Sequence, residues 1–373
     1  MIEIKTGFDG SNPRTAEGVE READDHFLFF PARNFRRGQT YEWTEGGARF
    51  YTRLRNDSSQ PCRVRATVDW RPASDAPANY DLGFIRPEAE TEWRMIPGIR
   101  KGPCVDYHVD LAPGMTELGL YPGYNTEQCR RFVERAREQG VAVSIEGKSH
   151  EGREMWLLSL PSPDPAAPEF LIQARDHAYE TSGSYCVEGI FDFLLSDDVV
   201  AAYIRGKFNI HIMPMTNPDG VYNGLSRRTR EKGADMNRVY TEPDSAHDTV
   251  KSVIDRLRPL AYMNIHNFTH KFMDGLYSQD DSIAEKIQVH MPGDTAHHKA
   301  WQVATHADYL RAENVSETPK HKQSWKNYCA DNFDAVCVTF ELPWFARSTT
   351  DMRRTGREAF VAMALAAIEE RKL

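Results

Sequence analysis

No window of the chain approaches the roughly 18 consecutive apolar residues of a membrane span. Its first residues, MIEIKTGFDGSNPRTAEG, hold no apolar run like that of a signal peptide. Cysteine is scarce: six residues (Cys62, Cys104, Cys129, Cys186, Cys329 and Cys337), dispersed and without a C-x-x-C pair. That spacing predicts reduced thiols in a cytoplasmic protein. Positive charge is not in excess, since 46 Lys and Arg against 55 Asp and Glu leave a net charge of −9. The balance argues against bulk electrostatic binding to nucleic acid or an anionic membrane, though not against a local basic pocket. There is no internal repeat and no low-complexity tract. What is there is 373 residues with 40% hydrophobic and 27% charged content, ordinary for a globular protein. That length suits one large domain or two and buries a sizeable core without disulfides.

Residues 1–118 read as β-rich. RVRATVDW places Val64, Ala66, Val68 and Trp70 on one face, against Arg63, Arg65, Thr67 and Asp69. VDYHVDL alternates likewise, Val105, Tyr107, Val109 and Leu111 against Asp106, His108 and Asp110. Period-two alternation means strands with one wet face, and with no helical stripe between them the pattern predicts an antiparallel sandwich. The pattern changes near Gly119. Asn125 or Thr126 can cap a helix running to Gln139, with Cys129, Phe132, Val133 and Ala136 on one face and Gly140 as the stop. VAVSIEGKSHEGREMWLLSL reads as strand, turn, strand. Short apolar strands then alternate with helical stripes: EFLIQA, a stripe of Val187, Ile190, Phe191 and Leu194, FNIHIMPM, LAYMNIH and AVCVTFEL. A last helix aligns Phe360, Met363, Ala364 and Ala367. Strand–helix alternation predicts an α/β domain with a mixed, largely parallel sheet.

Three polar groups share one topological position. His177 follows FLIQA, His266 ends AYMNI and Glu341 ends VCVTF. Ligands of open α/β sheets bind outside the carboxyl ends of the strands, so groups far apart in sequence can converge there. Glu180 lies close to His177 in any compact turn. Two imidazoles and one carboxylate make a borderline-soft set suited to Zn²⁺, with a fourth position for water. A second carboxylate beside the metal can take a proton from that water and deliver it to a leaving group. Each feature is weak singly. H-x-x-E occurs often by chance, and a histidine after a strand is more often a satisfied polar residue; Glu341 between VTF and LPW stands out more, because a partly buried carboxylate needs a partner, with a salt bridge to an arginine as the plainer account. A further stretch, MPMTNPDGVYNGLSRRTREKGADMNR, places Asp235, Asn237 and Arg238 together. An arginine fork beside an amide suits a carboxylate. Upstream, Arg227 and Arg230 read as a solvated, charged loop.

In order along the chain, EGKSHEGREMWLL, ARDHAYE, NPDGVYNG, GADMNR, NIH and TFE resemble the G-x-S-x-x-G-R signature, H-x-x-E, N-P-D-G, G-x-D-x-N-R, third ligand and catalytic glutamate of zinc carboxypeptidases. The resemblance is to the carboxypeptidase A superfamily, and within it to the cytosolic carboxypeptidase branch, which also carries a β-sandwich ahead of its catalytic domain. It covers the chain from about Gly119 onward. It implies one Zn²⁺ per chain held by His177, Glu180 and His266, with Glu341 as general base and acid. It implies that Asn237 and Arg238 hold the substrate's C-terminal carboxylate, and that Asp235 bonds His177 and fixes its tautomer. One more arginine would polarise the scissile carbonyl; spacing back from Gly233 favours Arg228, while Arg227 fits the spacing from Gly224. Ala178 and Tyr179 replace a common Pro-Gly, Asp176 stands where an uncharged residue is frequent, and Met236 replaces Leu. Tyr309 and Tyr328 are candidates for the family's mobile tyrosine. His270 and the pair His297–His298 fall outside the ligand set.

The expectation is an α/β, carboxypeptidase-like catalytic domain at 119–373, helices on both faces of its sheet, preceded by an all-β antiparallel sandwich at 1–118. The expected activity is that of a cytoplasmic zinc metallopeptidase hydrolysing the C-terminal peptide bond of peptides or protein tails, with zinc-activated water and Glu341 as base. Two other readings stand beside it: a zinc-dependent deacylase of N-acyl amino acids on the same fold, and a catalytically inactive peptide-binding module. Resemblance to the cytosolic branch suggests acidic tails, and Lys271, Lys320, Lys322, Lys326 and Arg347 are the basic candidates for a terminal-residue pocket. No nucleic-acid or membrane partner is expected, and homo-oligomerisation is left open.

Overall fold

A computed structural model describes residues 1–31, 49–71, 81–239, 244–267, 274–292, 302–305 (backbone) and 323–373. Among the described residues, the alternation read from the first part of the sequence becomes nine strands: β1 (Ile2–Lys5), β2 (Val19–Ala23), β3 (His26–Phe29), β4 (Tyr51–Asn56), β5 (Cys62–Asp69), β6 (Leu82–Pro87), β7 (Arg94–Lys101), β8 (Cys104–Leu111) and β9 (Gly114–Gly119). Their order is β1-β4-β9-β6-β7-β8-β5-β3-β2. Val64, Ala66 and Val68 on β5 and Val105, Tyr107, Val109 and Leu111 on β8 are buried, as period two requires. They share one core with Leu54, Ile85 and Leu118 from the other half of the sheet. Asp106 breaks the alternation, because its buried carboxylate accepts from Thr67 Oγ1 (2.6 Å) and Arg65 Nη2 (2.7 Å). The antiparallel expectation needs correction to a mixed sheet. β3 and β5 run parallel, since β4, between them in sequence, pairs instead with β1 and β9. β7 gives its first half to β6 and its second half to β8.

The second sheet contains β10 (Ala142–Lys148), β11 (Glu154–Leu160), β12 (Glu169–Ala174), β13 (Asn209–Met213), β14 (Ala261–His266), β15 (Gly275–Ser278), β16 (Gln302–Thr305) and β17 (Val336–Glu341), in the order β10-β11-β13-β12-β14-β17-β15-β16. The central four are mutually parallel, while β11 and β15 join them antiparallel. The helices are α1 (Thr126–Glu138), α2 (Ser182–Leu194), α3 (Val199–Arg205), α4 (Pro218–Tyr222), α5 (Ser245–Leu257), α6 (Asp281–His290), α7 (Trp325–Phe333) and α8 (Thr349–Arg371). A capping box between Asn125 and Gln128 opens α1, and its buried face is Cys129, Phe132, Val133 and Ala136.

Strand parity sorts the core. Phe170, Ile172 and Ala174, then Ala261, Met263 and Ile265, then Val336, Val338 and Phe340 pack with α1, α2, α6 and α8. Leu171, Tyr262 and Cys337, at the alternate positions, pack with α5 and α7 on the opposite face. Toward the carboxyl ends that second face turns polar, with Gln173, Asn264, His266, Thr339 and Glu341 at successive alternate positions. This is where the site lies.

The N-terminal segment is tied to the second sheet's loops. Gly10 N–H and Arg14 Nη1 donate to the Tyr222 carbonyl (3.0 and 2.8 Å), and Asn12 Nδ2 donates to the Gly224 carbonyl (3.2 Å). Gly224, at φ 66°, is required there, because a Cβ would fall 2.1 Å from the Ser11 carbonyl oxygen. Among the described residues, no helix is long and apolar enough to cross a membrane.

Candidate metal centre and active site

The loop that leaves β12 carries the first two candidate ligands. Its backbone is held from both sides: the Ala178 carbonyl accepts from Arg175 Nη2 (2.6 Å) and Arg49 Nη1 (2.8 Å), and Arg49 Nη2 also reaches the Gly10 carbonyl (2.9 Å). Both guanidiniums are buried, and that burial lowers them, Arg175 to about 9 and Arg49 to about 10. Tyr179, where the resemblance expected glycine, lies 6.3 Å from the His177 ring and nearly parallel to it. It also stacks on Tyr121 at 6.4 Å and joins the core of the first sheet. The departure at 178–179 therefore seats the ligand loop against the N-terminal strands.

His177, Glu180 and His266 are brought together, all buried, with one ligand atom of each within 4.8 Å of the others. His177 Nδ1 is 2.9 Å from Glu180 Oε1, His266 Nδ1 is 2.7 Å from Glu180 Oε2, and the two Nδ1 atoms are 3.3 Å apart. On the far side of the first ring, His177 Nε2 meets Asp235 Oδ1 at 3.0 Å. An Nε2–H bond to that carboxylate leaves the Nδ1 lone pair facing inward, as a metal ligand needs. Two imidazole nitrogens and one carboxylate oxygen at this spacing suit zinc. Burial opposes charge on His177, but Glu180 and Asp235 outweigh it and hold the imidazole up at about 9. Burial likewise opposes Glu180, and the two imidazoles hold its carboxyl well below the usual range. Asp235 is held well below against the same burial, by Arg227 first and His177 second.

Glu341 ends β17 in register with His266 on β14, which places it beside the donor set. Burial pushes its carboxyl up, the Glu180 charge adds to that, and the imidazoles and Arg227 pull back only in part.

Asn237 and Arg238 follow Asp235 directly, and the Asn237 N–H donates to Asp235 Oδ1 (2.9 Å). Arg238 is half-buried, with Nη1 on the Asn237 carbonyl (2.7 Å). Among the described residues, the buried Asn237 Oδ1 has no hydrogen-bond partner. The two arginines that the resemblance left open, Arg228 and Arg227, both lie among the described residues. Arg227 Nε donates to Asp235 Oδ2 (2.9 Å), and its charge acts on His177, Tyr179 and Glu341. Arg228, the expected residue, has its carbonyl on Asn217 Nδ2 and pairs by backbone with Asp235.

The signature stretch and the N-P-D-G turn explain each other. Asp219 Oδ1 accepts from Ser149 Oγ (2.6 Å) and Arg153 Nη1 (2.6 Å), and Oδ2 accepts from the Glu151 N–H (2.9 Å). These bonds anchor the start of the loop that carries Arg227 and Asp235.

Other candidates are held by partners of their own. Tyr328 donates to Asp255 Oδ1 (2.6 Å) on α5. Lys326, lowered by burial to about 8, donates to the Ser278 carbonyl (2.9 Å), whose strand partner is Val338 rather than Glu341. Arg347 makes a fully buried bidentate pair with Asp274, 2.6 Å at both contacts. Tyr309, His270, His297, His298, Lys271, Lys320 and Lys322 lie outside the described residues. Sequence reasoning missed Asn264, two residues before His266 and on the same face; the alternation in AYMNIH was the signal for it.

The zinc carboxypeptidase family profile matches residues 127–309. An uncharacterized protein of Zymomonas mobilis is 23% identical over 355 residues, 92% of this chain and 88% of that one. Cytosolic carboxypeptidase 1 of Danio rerio is 35% identical over 113 residues, 28% of this chain and 10% of that protein. Cytosolic carboxypeptidase 2 of Xenopus tropicalis is 32% identical over 149 residues, 35% of this chain and 15% of that protein. The chain thus matches only a small part of these vertebrate relatives. Among solved structures, a metallo-carboxypeptidase from Burkholderia cenocepacia superposes with a TM-score of 0.80 at 18% identity, over 100% of both chains. One from Pseudomonas aeruginosa superposes with a TM-score of 0.74 at 16% identity, over 99% of both. At such identities these two establish the carboxypeptidase-like fold.

Proposed function

For a chain that carries a zinc carboxypeptidase domain and is a zinc metallopeptidase of that family, we propose removal of the C-terminal residue from peptides or protein tails. His177, Glu180 and His266 hold the zinc. When bound, zinc supplies Lewis acidity for the scissile carbonyl and lowers the pKa of an adjacent water. Glu341 takes the proton of the attacking water and returns it to the departing amine. Arg227 donates to the oxygen that becomes negative, and Arg238 with Asn237 grips the free α-carboxylate one residue beyond.

One observation carries the exopeptidase reading. The carboxylate clamp and the support of a ligand are the same four-residue segment, with Asp235 on His177 and on the Asn237 N–H. The reading takes residues 1–118 as a β-sandwich whose halves share β7, and 119–373 as the catalytic domain. It places the enzyme in the cytoplasm on the strength of six unpaired cysteines. The test is mass spectrometry of a peptide library differing only in the last residue, incubated with zinc-loaded protein. Loss of single C-terminal residues supports the proposal, and the library reads the side-chain preference. Activity on acyl-amino acids alone would point to a deacylase, and none on either to a binding module.

The arginine assignment makes a separate prediction. Arg227→Ala should lower kcat by about 10²–10³ with KM little changed, whereas Arg228→Ala should stay within a few-fold of wild type. Steady-state kinetics on one good peptide decides, and the reverse pattern restores Arg228.

A further inference from the structure

Asp176 immediately precedes the first ligand and is fully buried. Its Oδ1 accepts from Gln173 Nε2 (2.5 Å) and Thr216 Oγ1 (2.6 Å), and its Oδ2 accepts from Asn264 Nδ2 (2.9 Å). All three donors are neutral. A buried carboxylate so held still lacks a partner of opposite charge. Among the described residues, the ion-pair neighbour it has is His266, whose Nε2 stands 3.7 Å from Oδ2. His266 Nε2 is itself buried, with no hydrogen-bond partner among the described residues. The other nitrogen of that ring, Nδ1, points into the donor set.

We propose that Asp176 is a positioning carboxylate for His266. It accepts a hydrogen bond from Nε2–H, favours the tautomer whose Nδ1 lone pair faces the metal, and so mirrors what Asp235 does for His177. His266 Nε2 faces Asp176 Oδ2 across 3.7 Å, while Nδ1 of the same ring faces the donor set. Asn264 is placed to hold the receiving oxygen, because β14 puts Asn264 and His266 on one face. The inference accounts for a charge at 176 where the resemblance expected none. It rests on His266 being a ligand.

Asp176→Asn keeps the volume and offers an NH₂ where the carboxylate faced His266. That group favours the tautomer with its proton on Nδ1, which cannot ligate. Zinc affinity, measured by competition with a chromophoric chelator, should fall about 10–100-fold with circular dichroism unchanged. The cobalt-loaded variant should show an altered d–d spectrum. In ¹⁵N-histidine NMR of the zinc-loaded wild type, His266 should carry a slowly exchanging Nε2 proton. A folded Asp176→Asn protein with wild-type zinc affinity and an unchanged Nε2 proton overturns the proposal. Should that variant fail to fold, the wild-type spectrum decides: absence of a protected Nε2 proton on His266 overturns it equally. Wild-type zinc affinity in His266→Ala is a different failure, since it removes the ligand reading and the role of Asp176 with it.

Discussion

Glu341→Gln should leave one zinc bound per chain and lower kcat by roughly 10²–10⁴, measured with the zinc content of the same sample. The reason lies in where β17 ends. Register with His266 sets Glu341 beside the donor set. Burial lifts its carboxyl first and Glu180 lifts it further, to about 7. A carboxylate so raised is basic enough to take a proton from water and acidic enough to give it back. The working form is ionised, so kcat/KM must fall as pH drops through the raised value. Bound zinc, a cation, moves that acid limb to lower pH, and the limb disappears in the glutamine variant. The stability sign runs opposite to that of an ordinary salt-bridged acid. A folded pKa above the unfolded 4.5 means that stability is lost as pH rises from there to about 7. Glutamine removes the disfavoured charge, so the metal-free variant at pH 8 should unfold at the same or higher denaturant concentration than wild type. Wild-type turnover in the zinc-loaded variant would remove Glu341 from the chemistry.

The donor set was legible because parallel strands end in one place. His177 follows β12, while His266 and Glu341 end β14 and β17, and each could be assigned to a strand end from the apolar run before it. The helices were legible where a cap and a stripe coincide, as at Asn125 with Cys129, Phe132, Val133 and Ala136. Relations set by pairing were not legible. The parallel β3–β5 contact depends on where β4 goes, and no local pattern encodes that. Asp176 looked anomalous because its partners, Thr216 and Asn264, arrive from other strands and loops. Tyr179 looked anomalous because its ring packs on Tyr121, which follows the first sheet.

Glu180→Gln should lose more zinc affinity than the roughly 10–100-fold that follows removal of a residue behind a ligand, and its hydrolysis should fall to background under buffered zinc. The carboxylate contributes a charged ligand atom and is also the counter-ion of both imidazoles, at 2.9 and 2.7 Å. The first role is read by heat: zinc at 100 times its Kd stabilises a folded protein by about 2.7 kcal/mol, and that thermal shift should vanish in the variant. The second is read without metal. The raised His177 contributes stability that is full below its unfolded 6.5 and lost as pH rises through about 9. Glu180 is depressed, so its contribution is present above 4.5 and lost as pH falls. Both groups are ionised together between those limits. The metal-free variant should therefore be most destabilised, relative to wild type, between about pH 4.5 and 6.5, and the difference should fade toward pH 9. Denaturant midpoints across that range separate the roles. Lost zinc with a flat pH difference would mean that Glu180 ligates without pairing the imidazoles, and retained zinc affinity would remove it from the donor set.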